Sequence, residues 1–568
     1  MARGLLHASY DQDGFRTCQA THLRIHRSAE VAIKVFGLTA VVALIIGGIA
    51  ALLVALTRWE AVGLLQPADF YKYLSLHAWN LLIFWMVFME VAVLYLGGPV
   101  VLGRKLPAPR MVWTGWSIMA ASAVLIEYAI WTTKFPDQQP LLTSYPPLKS
   151  APLFYLGAIT FILGTVVAAL PFFFCIWQEK REHPGRTLPL VTFGAFVTGI
   201  IAVESLVGGL IAYVPTFLWR VGIVDHIDAA WYRQMYWIIG HGTQQINLIS
   251  MITVWYFLTH VLAGAEVVSE KVSRGAFILY LFFINMGAAH HLMADPTVSS
   301  SWRMWNTSYA VYGAVFASLI HAFAIPAGLE AGRRKRGLDD GSWFGWFRSA
   351  PWHDPAFSAT MFSIILFGFL CGITGVIMGQ MQLNTLRHNT LAVVGHFHAC
   401  VALGTTLTFM GLLYYVIRLF FQKEWVLDRL ARLQPYLYAG GMGIVVMAMM
   451  EAGILYGVPR RDPIVTSIPG TTFNFAAAGP MLAVLGLAAC LAVLAGGLFI
   501  VIALGSLLFG DDARVRLPVP LSLTGGTAGL HNFSMRGTLA TGIFFLIVMG
   551  LFYGMDWVWL SRLWAFGT

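Results

Sequence analysis

Six of the sixteen histidines in this chain, His77, His241, His290, His291, His396 and His398, are spaced so that their imidazoles could converge on metal ions. A single histidine in an apolar stretch is more often a packed or interfacial side chain than a ligand, so the argument lies in their convergence. His396 and His398 project about 200° apart on a helix, which would let one helix serve two metal centres on opposite sides. Adjacent His290 and His291 diverge by about 100°. They reach one ion together only where the helix end unwinds, which Asp295-Pro296 just beyond them favours. With His241 they make a three-imidazole site suited to copper, iron or zinc, and imidazole is also a usual axial ligand of haem iron.

The elements that must position these residues are membrane spans. The 568-residue chain is 58% hydrophobic and 11% charged, with mean hydropathy +0.71, so most of its length belongs in lipid. Thirteen apolar stretches are long enough to cross about 30 Å of hydrocarbon: 33–57, 76–100, 113–133, 152–177, 188–213, 232–260, 274–293, 307–330, 356–380, 389–417, 437–456, 479–509 and 537–561. Roughly two thirds of the 36 Lys and Arg fall on the side that holds the N-terminus, which orients that end to the cytoplasm. Under this topology all six histidines lie in the outer half of the bilayer, on four helices, although the orientation rests on Lys and Arg alone.

The formal charge of +9 therefore sets topology and does not recruit nucleic acid; the cluster Arg333 to Arg336 reads as an ordinary anchor. No small-residue cleavage site follows the first apolar run, which argues against a removable signal peptide. The expected organisation is an all-α polytopic protein with a cytoplasmic tail over 1–32 and one membrane domain over 33–568. Cys18, Cys175, Cys371, Cys400 and Cys490 stand apart, with no paired spacing for a disulfide, zinc site or c-type haem. A copper-thiolate or haem c entry point for electrons is thus expected on another polypeptide.

The strings GHFH at Gly395 to His398, HHLMADP at His290 to Pro296, YPPL at Tyr145 to Leu148, HNT at His388 to Thr390 and VPRR at Val458 to Arg461 resemble, in order, subunit I of the B-type haem-copper oxidases, which has thirteen spans. The resemblance implies His77 and His398 as axial ligands of a low-spin haem b, and His396 as proximal ligand of a high-spin haem of b or a type. It implies His241, His290 and His291 as ligands of a distal copper, with iron less favoured. It further implies that Arg460 and Arg461 bind haem propionates and that His388 and Asn389 face them; Asn384 stands where family members carry Asp. The implied setting is a bacterial or archaeal cytoplasmic membrane. The implied partners are nitric oxide or dioxygen as small-molecule substrate and a separate electron-donating subunit with a copper centre or cytochrome c.

One departure bears on the chemistry. Oxygen reductases of this type carry a tyrosine four residues after the helix 6 ligand, joined covalently to it, whereas this chain has Gln245. The i, i+4 spacing puts Gln245 on the face of His241, bordering the metal pocket. Splitting dioxygen in one step takes four electrons, of which the two metals supply three and the tyrosine the fourth. Coupling two nitric oxide molecules with two electrons and two protons to give nitrous oxide and water needs no side-chain radical. Nitric oxide reduction is the expected activity, with dioxygen reduction as the alternative.

Substitutes for the phenol are poorly placed. The helix 7 positions used by C-type oxidases are Ile284 and Asn285, Tyr236 points away from His241, and Tyr256 lies turns deeper. Ala317, Ile320 and Phe323 replace expected hydroxyls on helix 8, with Ser318 and His321 off register, so a weakened proton route is expected. Glu127, Glu204 and Glu451 are intramembrane acids and hence candidate proton relays; Thr243, Gln244 and Asn247 are candidate hydrogen-bond partners of a substrate-derived intermediate.

Overall fold

The computed structural model describes residues 9–18, 21–134, 143–462, 475–513 and 535–565, without the side chains of 284–289 and of most of 556–565. Backbone polar groups in hydrocarbon must be satisfied within their own segment, so the apolar runs close into helices. In chain order these are α1 (Arg27–Arg58), α2 (Pro67–Val100), α3 (Pro109–Thr132), α4 (Pro152–Glu182), α5 (Leu190–Arg220), α6 (Ala229–Ala263), α7 (Glu270–Met286), α8 (Ser300–Lys335), α9 (Pro355–Met378), α10 (Leu391–Leu419), α11 (Asp428–Leu455), α12 (Ala476–Phe509) and α13 (Arg536–Ala565). The protein is a multi-pass membrane protein. Among the described residues, eleven helices are long and apolar enough to cross a bilayer, against thirteen expected. The other two expected spans are α3, whose apolar run is diluted by Arg110 and Glu127, and α7, which is 17 residues long before its end tightens into a 3-10 turn, Gly287–Leu292.

The most enclosed helices are α2, α6 and α10, with 83%, 89% and 89% of their most apolar stretch buried. They carry four of the six histidines, so the candidate site occupies the centre of the bundle. Three helices break regularity there: π-helical turns run over Trp79–Phe84 in α2 just after His77, Phe367–Gly372 in α9, and Ala399–Thr406 in α10 just after His398. Such turns re-aim side chains at the expense of regular bonding and cluster at functional sites.

The N-terminal boundary differs from the expected tail. Phe15–Thr17 and Arg24–His26 pair as an antiparallel ribbon, and α1 begins at Arg27 because Glu30, Arg16 and Lys34 satisfy one another in a buried ionic group at 2.7 and 2.9 Å. At the other end of the chain, the buried Glu330 carboxylate accepts from the Gly537 and Thr538 amides (3.2 and 2.8 Å) and docks the start of α13 on α8.

The start of α10 is fixed by close backbone approach to α11: a Cβ at Gly453 would lie 2.0 Å from the Ala392 nitrogen. Gly453→Ala is expected to force the two helices apart at a cost of about 1–3 kcal/mol. A lower unfolding temperature of the detergent-solubilised protein checks this, and an unchanged transition would contradict the packing described.

Candidate metal centres

His77 and His398 face each other with parallel rings, 14° between planes and 5.9 Å between centroids. Two metal–nitrogen bonds of about 2 Å plus half of each ring span about that distance. The Nδ1 of His77 lies 3.3 Å from the Gly47 carbonyl and that of His398 lies 2.8 Å from the Val394 carbonyl. A carbonyl only accepts, so each Nδ1 carries the proton and each Nε2 keeps a lone pair for a metal. The pair flanks an apolar cavity of about 540 Å³ between α1, α2, α10, α11 and α12.

The other four histidines line a second cavity of about 300 Å³. The ligand atoms of His241, His290 and His291 all lie within 4.8 Å of one another, with His241 Nδ1 3.0 Å from His291 Nε2. The 3-10 turn at the end of α7 is what lets two neighbouring imidazoles face one point. Trp237, one turn before His241, stacks on His291 at 3.7 Å and 4° and fixes that ring. Across the cavity, His396 Nδ1 is 2.8 Å from the Thr374 hydroxyl, which itself donates to the Leu370 carbonyl. Thr374 oxygen therefore accepts from Nδ1–H, and Nε2 is again the bare nitrogen. Gly368, Gly372 and Gly375 line this wall, and a Cβ at Gly375 would stand 3.1 Å from His396 Cε1. A wall of glycines leaves room for a flat group, which fits a haem on His396.

Cations gather where the two cavities meet. Arg460 lines both, and Arg461 lines the larger. Their segment pairs with the one before α10: Arg460 N donates to Asn389 O (2.9 Å) and Leu391 N to Val458 O (2.8 Å), with Asn389 held at φ 62°. Arg58 donates to the carbonyls of Pro459 and Arg460, and Arg461 reaches Thr143 at 3.1 Å. Arg233 binds Asp295 at 2.6 Å and lies over the Tyr145 ring. Burial, then the neighbouring Arg461 charge, pulls Arg460 down to about 10. Burial lifts the Asp295 carboxyl, but hydrogen bonds from Thr297 and the Arg233 charge hold it below the usual range. Arg460 Nε is buried without a hydrogen-bond partner among the described residues. A buried guanidinium among like charges and short of an acceptor suits carboxylates, so the residues present fit haem propionates. His388 and Asn384 line the smaller cavity, the latter donating to Met378 O at 2.9 Å.

Gln245 is buried and lines the same cavity as His241, with Gln244 and Asn247 on either side of it. The amides of Gln244 and Asn247 have no hydrogen-bond partner among the described residues, whereas the Thr243 hydroxyl turns back to Gly240 O at 3.2 Å. Glu204 is exposed on α5, and neither it nor Glu451 lines either of these two cavities. Glu451 is half-buried on α11, which meets α10 through Met450 and Gly453. Glu127 accepts from Asn80, three residues after His77. Glu90, buried on α2 with Oε1 unpartnered, was missed among the intramembrane acids.

Beside α8, the Tyr256 hydroxyl meets Ser273 Oγ at 3.1 Å and His321 Nδ1 at 3.0 Å, and His321 stacks on Tyr280, whose hydroxyl meets Ser318 at 2.9 Å. An imidazole from α8 thus bonds Tyr256, while Ala317 and Ile320 carry no hydroxyl. Tyr280 and Ser318 line the smaller cavity. Sequence spacing overlooked Tyr280 because the turn between it and His290 unwinds, so no helical register carries across; the side chains of Ile284 and Asn285 lie outside those described. The cysteines are also not all isolated. Cys371 on α9 and Cys400 on α10 are joined as a disulfide, a contact across neighbouring helices that separation along the chain does not reveal.

A bis-imidazole site beside a three-imidazole site, buried in a bundle of this topology, defines the class of membrane haem-copper oxidoreductases. The chain belongs to the cytochrome c and quinol oxidase polypeptide I family, whose model matches residues 31–487. It is 32% identical over 403 residues to cytochrome c oxidase subunit 1 of Thermus thermophilus, covering 69% of each chain. It is 22% identical over 419 residues to that of a Synechocystis species, covering 70% of each. A haem-copper terminal oxidase solved as a dimer by cryo-EM has the same fold, with TM-score 0.81 at 24% identity over 94% of this chain and 92% of that one. The protein is accordingly an oxidoreductase of the haem-copper oxidase family.

Separate ligand sets should be separable by substitution. His291→Ala is expected to leave both haems while lowering copper by about 10-fold or more, and His398→Ala to remove the low-spin haem alone. Metal analysis beside pyridine haemochrome spectra checks both; loss of copper and both haems together in either variant would contradict independent centres.

Proposed function

We propose that this subunit reduces nitric oxide to nitrous oxide and water. A low-spin haem b on His77 and His398 would feed a centre made of a high-spin haem on His396 and a copper on His241, His290 and His291. The metals, when bound, supply the two electrons and the binding positions for substrate. What supports the reading is Gln245: the cavity position one turn from His241 carries an amide that cannot yield an electron. Two nitric oxide molecules, two electrons and two protons balance to nitrous oxide and water without it. Gln244 and Asn247 hold amide donors and acceptors free toward the same space, and an N–O species formed there can accept from them. Protons travel through Tyr256, His321, Tyr280 and Ser318. Electrons arrive from a separate subunit carrying a copper centre or a cytochrome c, on the outer side of the membrane, with the N-terminus in the cytoplasm.

Four-electron reduction of dioxygen is the second reading. The similarity to cytochrome c oxidase subunits 1 favours it over the first, and Tyr280 gives it a cavity phenol.

The deciding experiment supplies the purified complex with an electron donor and follows nitrous oxide from added nitric oxide under anaerobic conditions, beside oxygen uptake in air. Rapid oxygen uptake with negligible nitrous oxide would establish the second reading instead. Gln245→Tyr is expected to lower nitric oxide turnover at least tenfold, and an unchanged rate would show that position 245 does not act on the substrate. His321→Leu is expected to slow turnover with either gas while leaving haem and copper content intact; a wild-type rate would remove His321 from the proton route.

A further inference from the structure

We infer that Cys371 and Cys400 form a redox-switchable crosslink that holds His396 in position. The inference rests on His396 being a haem ligand and is indifferent to which gas is reduced. The two Cα atoms are 5.2 Å apart, inside the range a disulfide requires. Cys400 lies one turn beyond His396 on α10, with its sulfur 3.7 Å from His396 Nε2. On α9 the Thr374 hydroxyl, which accepts from His396 Nδ1, also donates to the Cys371 carbonyl at 3.2 Å. Both supports of the His396 ring, its own helix and the threonine that fixes its tautomer, are thus attached to crosslinked residues.

Each cysteine sits in a π-helical turn, Phe367–Gly372 or Ala399–Thr406. Both line the smaller cavity, where the other cysteines, Cys18, Cys175 and Cys490, are free thiols elsewhere. Irregular backbone at both anchors is where a change in the crosslink can be taken up without unwinding a whole span. Opening the bond consumes two electrons and two protons and yields two thiols, with a dithiol as reductant that itself closes to a disulfide; the reverse exchange re-forms the crosslink. The opened state frees α9 from α10 one turn from His396, so the imidazole and the iron it holds change their geometry while His77 and His398 do not.

The holoenzyme carrying its haems is denatured and alkylated before and after reduction, and the modified cysteines are counted by mass spectrometry. Three labelled residues without reductant and all five after it are expected; five without reductant would overturn the crosslink. In parallel, native holoenzyme is treated with a membrane-permeant dithiol and both haems are titrated spectroelectrochemically. A changed midpoint potential and absorption of the high-spin haem, with the low-spin haem unmoved, is expected in the wild type and absent in Cys371→Ser/Cys400→Ser. No change in the wild type would overturn the positioning role. Because Cys371, His396 and Cys400 could also group around an ion, a third metal per complex, beyond haem iron and distal copper, would overturn the inference as well. If the double variant fails to assemble, the wild-type arms decide the question without it.

Discussion

An imidazole can hold a metal only if one nitrogen is bare and aimed, and in a lipid-buried bundle that condition organises everything around it. The proton on the other nitrogen must go to an acceptor supplied by a neighbouring helix turn. Gly47 O does this for His77, Val394 O for His398 and the Thr374 hydroxyl for His396. His291 is held instead by a flat indole, Trp237. Each of these partners comes from packing, so the site and the bundle cannot be specified separately.

The two cavities share a wall made by Phe397, Val393, Val401 and Arg460, with Trp237 and Gln244 from α6. His396 and His398 are separated by one residue on that wall. Less than a turn of α10 therefore sets the spacing of the two imidazoles. The arginines at the end of the wall make the opposite demand. Arg460, Arg461, Arg58 and Arg233 crowd together with Asp295 and Asp462 as the nearby acids, a surplus of positive charge that suits additional carboxylates.

Much of the fold was legible in the chain. Apolar run lengths placed the helices, because the hydrocarbon thickness leaves little freedom in where a span begins and ends. The exceptions are physical: α7 gives up its last turn to the paired histidines, and the first strands and the Arg16, Glu30 and Lys34 group pull the start of α1 into ordered structure. The i, i+4 rule put Gln245 on the His241 face, and the cavity lining agrees. Rules confined to one helix could not foresee that Tyr280 enters from α7, that His321 bonds Tyr256, or that Cys371 meets Cys400.

What the sequence alone determined is the set of metal-competent side chains, their helices and their common depth, because these follow from residue type, period and the length of a span. What only the tertiary structure decided is which nitrogen each imidazole offers, which helices share a cavity, and which polar groups reach it from a second helix. Those depend on contacts between segments far apart in the chain, where helix rotation by a fraction of a turn, set by close-packed glycines and π-helical turns, moves a side chain from a cavity wall into the packing between helices.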